Sequence, residues 1–483
     1  MTDSWPATLG INAWCGEETT TGGTVPGTRS WILGQDVDQR AREAGAVLAA
    51  PEPPNPRDWQ HPDVGWGVVL PWTGGPVDEQ ARLSDAPGPI VKLAEARAGT
   101  DGPVVLRYAA EDGLARLRRV YRDGRRQDIA ITGGETGTGL GRLPAYLLLA
   151  GSPADLPWEL QCRLNLSAAV GRLDLPGPAL ARYVDCLLSE WTDSAAQARN
   201  PVVWATDHDD ITQLMRVAVA ERMARKFQDD TDTRTGVRYL PGAEATAGAL
   251  IGALTTNRPS VVVTTSHGRT GPLGDPAAMS RDLGLLVDAE RALLDPATLL
   301  AAWQPDGAIW YAHACCSAGS DGFTRYTGLV AEDSTVAKVL NAVAALGPRV
   351  APLPTALLSA ERPARAFIGH VEPTFDWTLA RPETGQVITA ATLRALWTGC
   401  FQPSPEPIGL AFRKHFTDAA ELFGESAQAN RNSRPNSPER RRASAALLTA
   451  YDRQSMVILG DPTVCAGALG PPPDDGDADT RAT

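Results

Sequence analysis

Two short stretches of this chain end in side chains that could form a nucleophilic pair. The first, Val261-Val-Val-Thr-Thr-Ser-His267-Gly268, runs from apolar residues into an imidazole followed by glycine. The second, Ala308-Ile-Trp-Tyr-Ala-His-Ala-Cys315-Cys316, runs into two thiols, with Gly319-Ser320 close behind. A thiol is mostly protonated at neutral pH, and the thiolate is the reactive form. A histidine within hydrogen-bond reach takes that proton and later delivers it to a leaving group. Glycine after the histidine leaves room for a substrate carbonyl to approach the backbone. The N–H groups of Gly268 and of the attacking cysteine are the expected oxyanion donors. The chemistry expected is acyl transfer through a thioester, with His267 as the base and Cys315 or Cys316 as the nucleophile.

Such a pair works only if two distant segments are brought together. Continuous apolar runs at 145–150, 202–205, 260–265, 308–312, 366–371 and 456–459 are short and bounded by turn residues, as strands buried on both faces are. Helical patterns lie between them, at Ile211–Phe227, Ala245–Leu254, from Pro296 to Trp303, and at Ser334–Leu346. Strands alternating with helices predict an α/β fold, a three-layer αβα sandwich around a mostly parallel sheet. Active residues of such sheets gather at the carboxyl ends of the strands, where His267 and Cys316 both fall. Residues 1–140 are rich in Gly, Pro and Trp and predict a separate α+β accessory region, with strands near Val68 and Val105 and a short helix over Ala110–Arg122. The polar stretch 425–441 predicts a mobile surface loop.

Other polar residues have plainer readings. Asp207, Asp209 and Asp210 form a weak candidate for a metal site, against which stands their position as helix-capping aspartates before Ile211. His313 alternates with Cys315 along its strand and is expected to be structural. Gly137-Thr-Gly139-Leu-Gly141 lacks the Lys of a phosphate loop and predicts only a flexible connection.

An apolar strand ending in His-Gly, followed by one ending in Cys with Gly three residues on, resembles the caspase-fold cysteine peptidases. Tyr146-Leu-Leu-Leu-Ala-Gly-Ser-Pro153, Leu156-Pro-Trp158, Ala169-Val-Gly-Arg172 and Met456-Val-Ile-Leu-Gly-Asp-Pro-Thr463 are most similar to gingipain-like and CHAT-domain bacterial proteases. The resemblance spans about 142–465 and favours Cys316 over Cys315, because Gly319 lies three residues beyond it. It implies a caspase-like peptidase domain over 141–467 and an endopeptidase needing no cofactor. It implies cleavage after Arg or Lys, with Asp275 and Glu372 as candidates for the specificity pocket. It also implies a regulated role in bacterial signalling or defence, with a protein substrate and an activating protein partner. The Arg-bearing segment 425–441 would suit a processing site. Two rivals remain: a catalytically silent scaffold of the same fold, and another thiol amidase.

The totals agree with this class. The chain has 483 residues, 43% apolar and 21% charged, enough for a large core and two or three domains. A net charge of −12 argues against a nucleic-acid surface. No run is apolar enough to span a membrane, and no leader pattern precedes residue 10, so a cytoplasmic protein is expected. Seven cysteines, scattered apart from the adjacent Cys315-Cys316 and without a CxxC, fit reduced thiols rather than disulfides or zinc. The acidic end, 468–483, predicts a disordered tail.

Overall fold

The computed structural model describes residues 8–11, 13–16, 21–23, 54–99, 102–381, 384–401, 404–432, 434 and 437–469. Of the tail expected from 468, residues 470–483 lie outside them. In chain order the strands are β1 (Thr8–Gly10), β2 (Ala13–Trp14), β3 (Thr21–Gly23), β4 (Trp66–Pro71), β5 (Val105–Tyr108), β6 (Arg116–Val120), β7 (Arg126–Ala130), β8 (Tyr146–Ala150) and β9 (Ala169–Leu173). There follow β10 (Val202–Ala205), β11 (Arg238–Pro241), β12 (Val261–Thr265), β13 (Gly268–Arg269), β14 (Ile309–His313), β15 (Gly319–Ser320), β16 (Arg349–Val350), β17 (Ala366–His370) and β18 (Met456–Gly460).

Twelve strands form one sheet in the order β11-β10-β12-β14-β17-β18-β9-β8-β4-β5-β6-β7. Helices flank it, giving a mostly parallel three-layer α/β sandwich. Strands β11, β10, β12, β14 and β17 run parallel. At β17/β18 the direction reverses, and β18, β9, β8, β4 and β5 run parallel to one another. The carboxyl ends of the first group therefore share one edge of the sheet, and those of the second group lie at the opposite edge. Every residue of β8, β9, β10, β12, β14, β17 and β18 is buried, as strands covered on both faces must be.

The central strands match the apolar runs to within a residue or two. Strands β4 to β7 hydrogen-bond onward from β8, so the sheet runs across the 140/141 boundary without a break. Two predicted elements differ. Ala110–Arg122 is not a helix: a single 3-10 turn at Ala110–Asp112 ends at Gly113, whose φ of +57° no helix continues, and β6 follows. Leu114, Leu117 and Val120 mimic helical spacing, but pairing with β5 and β7 decides the matter. The polar stretch 425–441 is mostly helical too. The helix Arg413–Asn432 runs through its first part, and Ser437 caps the next helix, Pro438–Gln454, by accepting from the Arg440 N–H. The two helices pack against each other, and that contact stabilises a stretch with little apolar periodicity.

Candidate active site

Strands β10, β12 and β14 are parallel neighbours, with Ala205 opposite Thr265 and Thr265 opposite His313. The residues just beyond them, Asp210, His267 and Cys316, are thus delivered to one sheet edge. Glu372 follows β17 at the same edge.

His267 is buried and its backbone is fixed on both sides. Ser266 N–H donates to the His313 carbonyl, and Val287 N–H donates to that of His267. Gly268 is required next: a Cβ there would overlap the Cys315 carbonyl, so the His-Gly and Cys-Cys backbones are in contact. The His267 ring lies between Trp14 (centroids 6.2 Å apart) and His208 (5.5 Å, planes within 7°).

His267 Nε2 lies 2.7 Å from Asp210 Oδ2. The other Asp210 oxygen caps the following helix, accepting from the Thr212 N–H at 2.9 Å and hydroxyl at 2.7 Å. Burial works to raise this carboxyl, but the hydrogen bond and charge of His267, with the Thr212 donors, outweigh it and hold the group well below the usual carboxylate range. An ionised carboxylate only accepts, so Nε2 carries a proton, and in the neutral imidazole the lone pair is then on Nδ1. That Nδ1 is buried and has no hydrogen-bond partner among the described residues.

Cys316 lies on the turn after β14 with φ at +54°, a left-handed conformation that non-glycine residues avoid. The turn is over-determined. Gly319 N–H donates to the Cys316 carbonyl, Ala318 N–H to the His370 carbonyl, and the Ser317 hydroxyl bridges the Ala312 carbonyl and the His370 N–H. Strain of about 1–3 kcal/mol held in place by such contacts is characteristic of functional turns. The Cys316 side chain is fully buried. Burial, then the neighbouring Cys315 and Glu372, push its thiol well above the usual range, so it is protonated in this conformation. Its Sγ makes no hydrogen bond among the described residues.

Cys315 is placed differently. Its Sγ accepts the Thr374 N–H at 3.1 Å, which ties β14 to the segment after β17. Of the two oxyanion donors expected, the Cys316 N–H is engaged here by the Glu372 carbonyl at 3.2 Å. The two carboxylates expected in a basic-residue pocket are both engaged, Asp275 through one oxygen and Glu372 through an ion pair. Asp275 caps the helix Pro276–Asp282 by accepting from the N–H groups of Ala277 and Ala278. Glu372 is buried and pairs with Arg325 Nη1 at 3.1 Å. The weak metal candidate is likewise redistributed. Asp207 pairs with Arg216 at 3.0 Å, Asp209 sits at φ +58°, and only Asp210 joins a group of possible ligand atoms. That group is His208, Asp210 and His267, whose ligand atoms lie within 4.8 Å of one another. His208 Nε2 donates to the Asp288 carbonyl at 2.9 Å, which leaves its Nδ1 as the lone-pair nitrogen. Nitrogen and oxygen donors of this kind suit zinc better than calcium. His313 is structural as expected, held by the Tyr311 hydroxyl at 3.0 Å and set edge-on to His370.

Sequence reasoning missed Asp210 as a partner for His267, because its place before an apolar helix is explained by capping alone. It also missed Trp14, whose strand is only two residues long.

No family model matches the chain, and no curated protein matches it. A solved structure described as "Structure of Protease" is similar at 11% identity and a TM-score of 0.42, over 83% of this chain and 78% of the other. A likeness of that size carries no argument about activity. Among the described residues no helix is long and apolar enough to cross a membrane.

Proposed function

We propose that this chain is a cysteine peptidase of caspase-like fold in which Cys316 is the nucleophile, His267 the general base and acid, and Asp210 the residue that orients His267. The observation that carries this reading is the meeting at one sheet edge of a strained cysteine turn with an imidazole whose Nε2 is held by a carboxylate and whose Nδ1 is unpaired. Orientation of the base by a third group is the general logic of nucleophile activation.

The steps follow from these atoms. The Cys316 proton passes to His267 Nδ1 as Sγ forms a bond to the substrate carbonyl carbon. The tetrahedral adduct collapses as His267 returns that proton to the leaving amine, and the C–N bond breaks. Water then attacks the thioester, giving a proton to His267, and the C–S bond breaks to restore the thiol. Asp210 stays ionised throughout and stabilises the imidazolium. An oxyanion held by Gly268 and Cys316 requires the Cys316 N–H to leave the Glu372 carbonyl when substrate binds. Of the two acidic residues offered for the preference for Arg or Lys that the resemblance implies, Glu372 is buried against Arg325, whereas Asp275 is exposed and keeps one oxygen for a basic side chain.

The test is a fluorogenic peptide library scanned at the residue before the cut, with wild type, Cys316→Ala, Cys315→Ala, His267→Ala and Asp210→Asn side by side. Turnover lost in Cys316→Ala and His267→Ala but kept in Cys315→Ala supports the reading. Turnover that survives both changes overturns it. The full burial of Cys316 favours a second reading, a silent scaffold of the same fold. Absence of turnover in wild type under every condition, including after the strand release described next, would favour that reading.

A further inference from the structure

The candidate site is covered by the beginning of the same chain. Strand β2, Ala13–Trp14, lies parallel to β13, Gly268–Arg269, directly after the candidate base. Thr270 N–H donates to the Trp14 carbonyl at 2.9 Å. Ile11 bridges Phe375 in antiparallel fashion on the other side, so the segment lies between the loop after β12 and the loop after β17. Its side chains close the space. Ile11 and Ala13 are buried in one apolar cluster with Cys315, Cys316, Met279, Leu283 and Phe375. Trp14 stacks on His267, with the Arg291 guanidinium 5.1 Å from its ring. A Cβ at Gly271 would overlap the Cys15 backbone, so the fit is still close at Cys15.

A two-residue strand is a weak hold. The strands that form the buried centre of the sheet are four or five residues long, and a short added strand is marginal alone. What it pairs with is backbone N–H and C=O, which any extended peptide supplies.

We propose that Ile11 and residues 13–15 are a built-in occupant of the peptide-binding cleft, holding it shut over His267 and Cys316 until an extended segment of a protein substrate pairs with the same backbone edge and displaces them. The proposal deepens the peptidase reading and rests on it for the identity of the displacing group. It accounts for a thiol that is buried and protonated beside an intact imidazole and carboxylate. It also predicts what the cleft accepts: an extended chain with small or branched apolar side chains at the places of Ile11 and Ala13.

The experiment uses the full chain carrying Ile11→Asp with Ala13→Asp, compared with wild type. Two rates are measured: alkylation of Cys316 by iodoacetamide, followed by peptide mass spectrometry, and turnover of the peptide library. The buried thiols Cys162 and Cys400 report whether the fold is intact. The expected result is alkylation of Cys316 at least tenfold faster, unchanged protection of Cys162 and Cys400, and increased turnover. Faster alkylation with background turnover supports the occlusion and overturns the peptidase reading. Unchanged alkylation in a folded variant overturns the occlusion, whatever the turnover. Should the variant lose its fold, hydrogen exchange on the wild-type chain decides. Alkylating Cys316 should release the Thr270 amide from protection, and retained protection there overturns the proposal.

Discussion

Asp210 and His267 follow different strands and meet at 2.7 Å only because β10 and β12 are parallel neighbours in register. The same carboxylate starts a helix with one oxygen and fixes the imidazole with the other, so a single side chain joins local capping to the site. The two roles separate by substitution. Asp210→Asn keeps the oxygen that serves Thr212 but offers no second acceptor charge, and kcat should fall by about 10²–10⁴ with little change in KM. Asp210→Ala should lose the same activity and, in addition, about 1 kcal/mol of stability from the missing cap. Steady-state kinetics with thermal melts of both variants check this.

The depressed Asp210 carboxyl also fixes the direction of an acid effect. A carboxyl whose folded pKa lies below its unfolded value of about 3.9 contributes stability that is fully present above that value. The contribution is lost as pH falls toward the folded pKa. The melting-temperature difference between wild type and Asp210→Asn should therefore shrink as pH falls below about 4.

The adjacent thiols should respond in opposite ways. Cys315→Ala leaves the buried Thr374 N–H without its acceptor, costing about 1–3 kcal/mol, yet should retain turnover. Cys316→Gly and Cys316→Ala both remove the proposed nucleophile and a fully buried side chain, so both should abolish turnover, but only glycine relieves the left-handed backbone and should be the more stable of the two by about 1 kcal/mol. Denaturant melts beside peptide assays would show the pattern, and a Cys316→Gly no more stable than Cys316→Ala would contradict the strain assigned to that turn.

Arg325 and Glu372 are both buried and 3.1 Å apart. Arg325→Met strands a buried carboxylate and should destabilise the chain by about 3–5 kcal/mol. Glu372→Gln should leave the preference for the residue before the cut unchanged, because that carboxylate already serves Arg325. A switch from basic to neutral preference in Glu372→Gln would reverse this assignment and return Glu372 to the specificity pocket.

Asp452 lies fully buried in the helix leading to β18, where one oxygen accepts the Phe375 N–H at 3.2 Å. Burial pushes its carboxyl up to about 8, while hydrogen bonds from Thr378 and Phe375 oppose the shift. The folded state then holds a proton that the unfolded state has released above about pH 4, so stability falls as pH rises from there to about 8. Asp452→Asn should gain on wild type steadily over that window, as melts at pH 5 and pH 8 would show.

The central sheet and the positions of the candidate groups on it are legible in the sequence alone. Runs such as Val261–Thr265 and Ile309–His313 are apolar at every position, a local pattern that only strands buried on both faces require. His267 and Cys316 at their ends were legible for the same reason, since a strand's last residues must emerge at the sheet edge. Tertiary structure alone decided what neighbours each element. Arg116–Val120 carries helical spacing, and only pairing with β5 and β7 makes it a strand. Asp275 and Glu372 are acidic residues in suitable places, but the donors that occupy them come from a helix start and from Arg325, 47 residues away. The segment 11–15 left no periodic signal, because two residues are too few to show one. Its place over His267 depends on a backbone edge more than 250 residues further along the chain. Periodicity reports which face of an element is buried, whereas partners across the sheet depend on register, which a single strand does not encode.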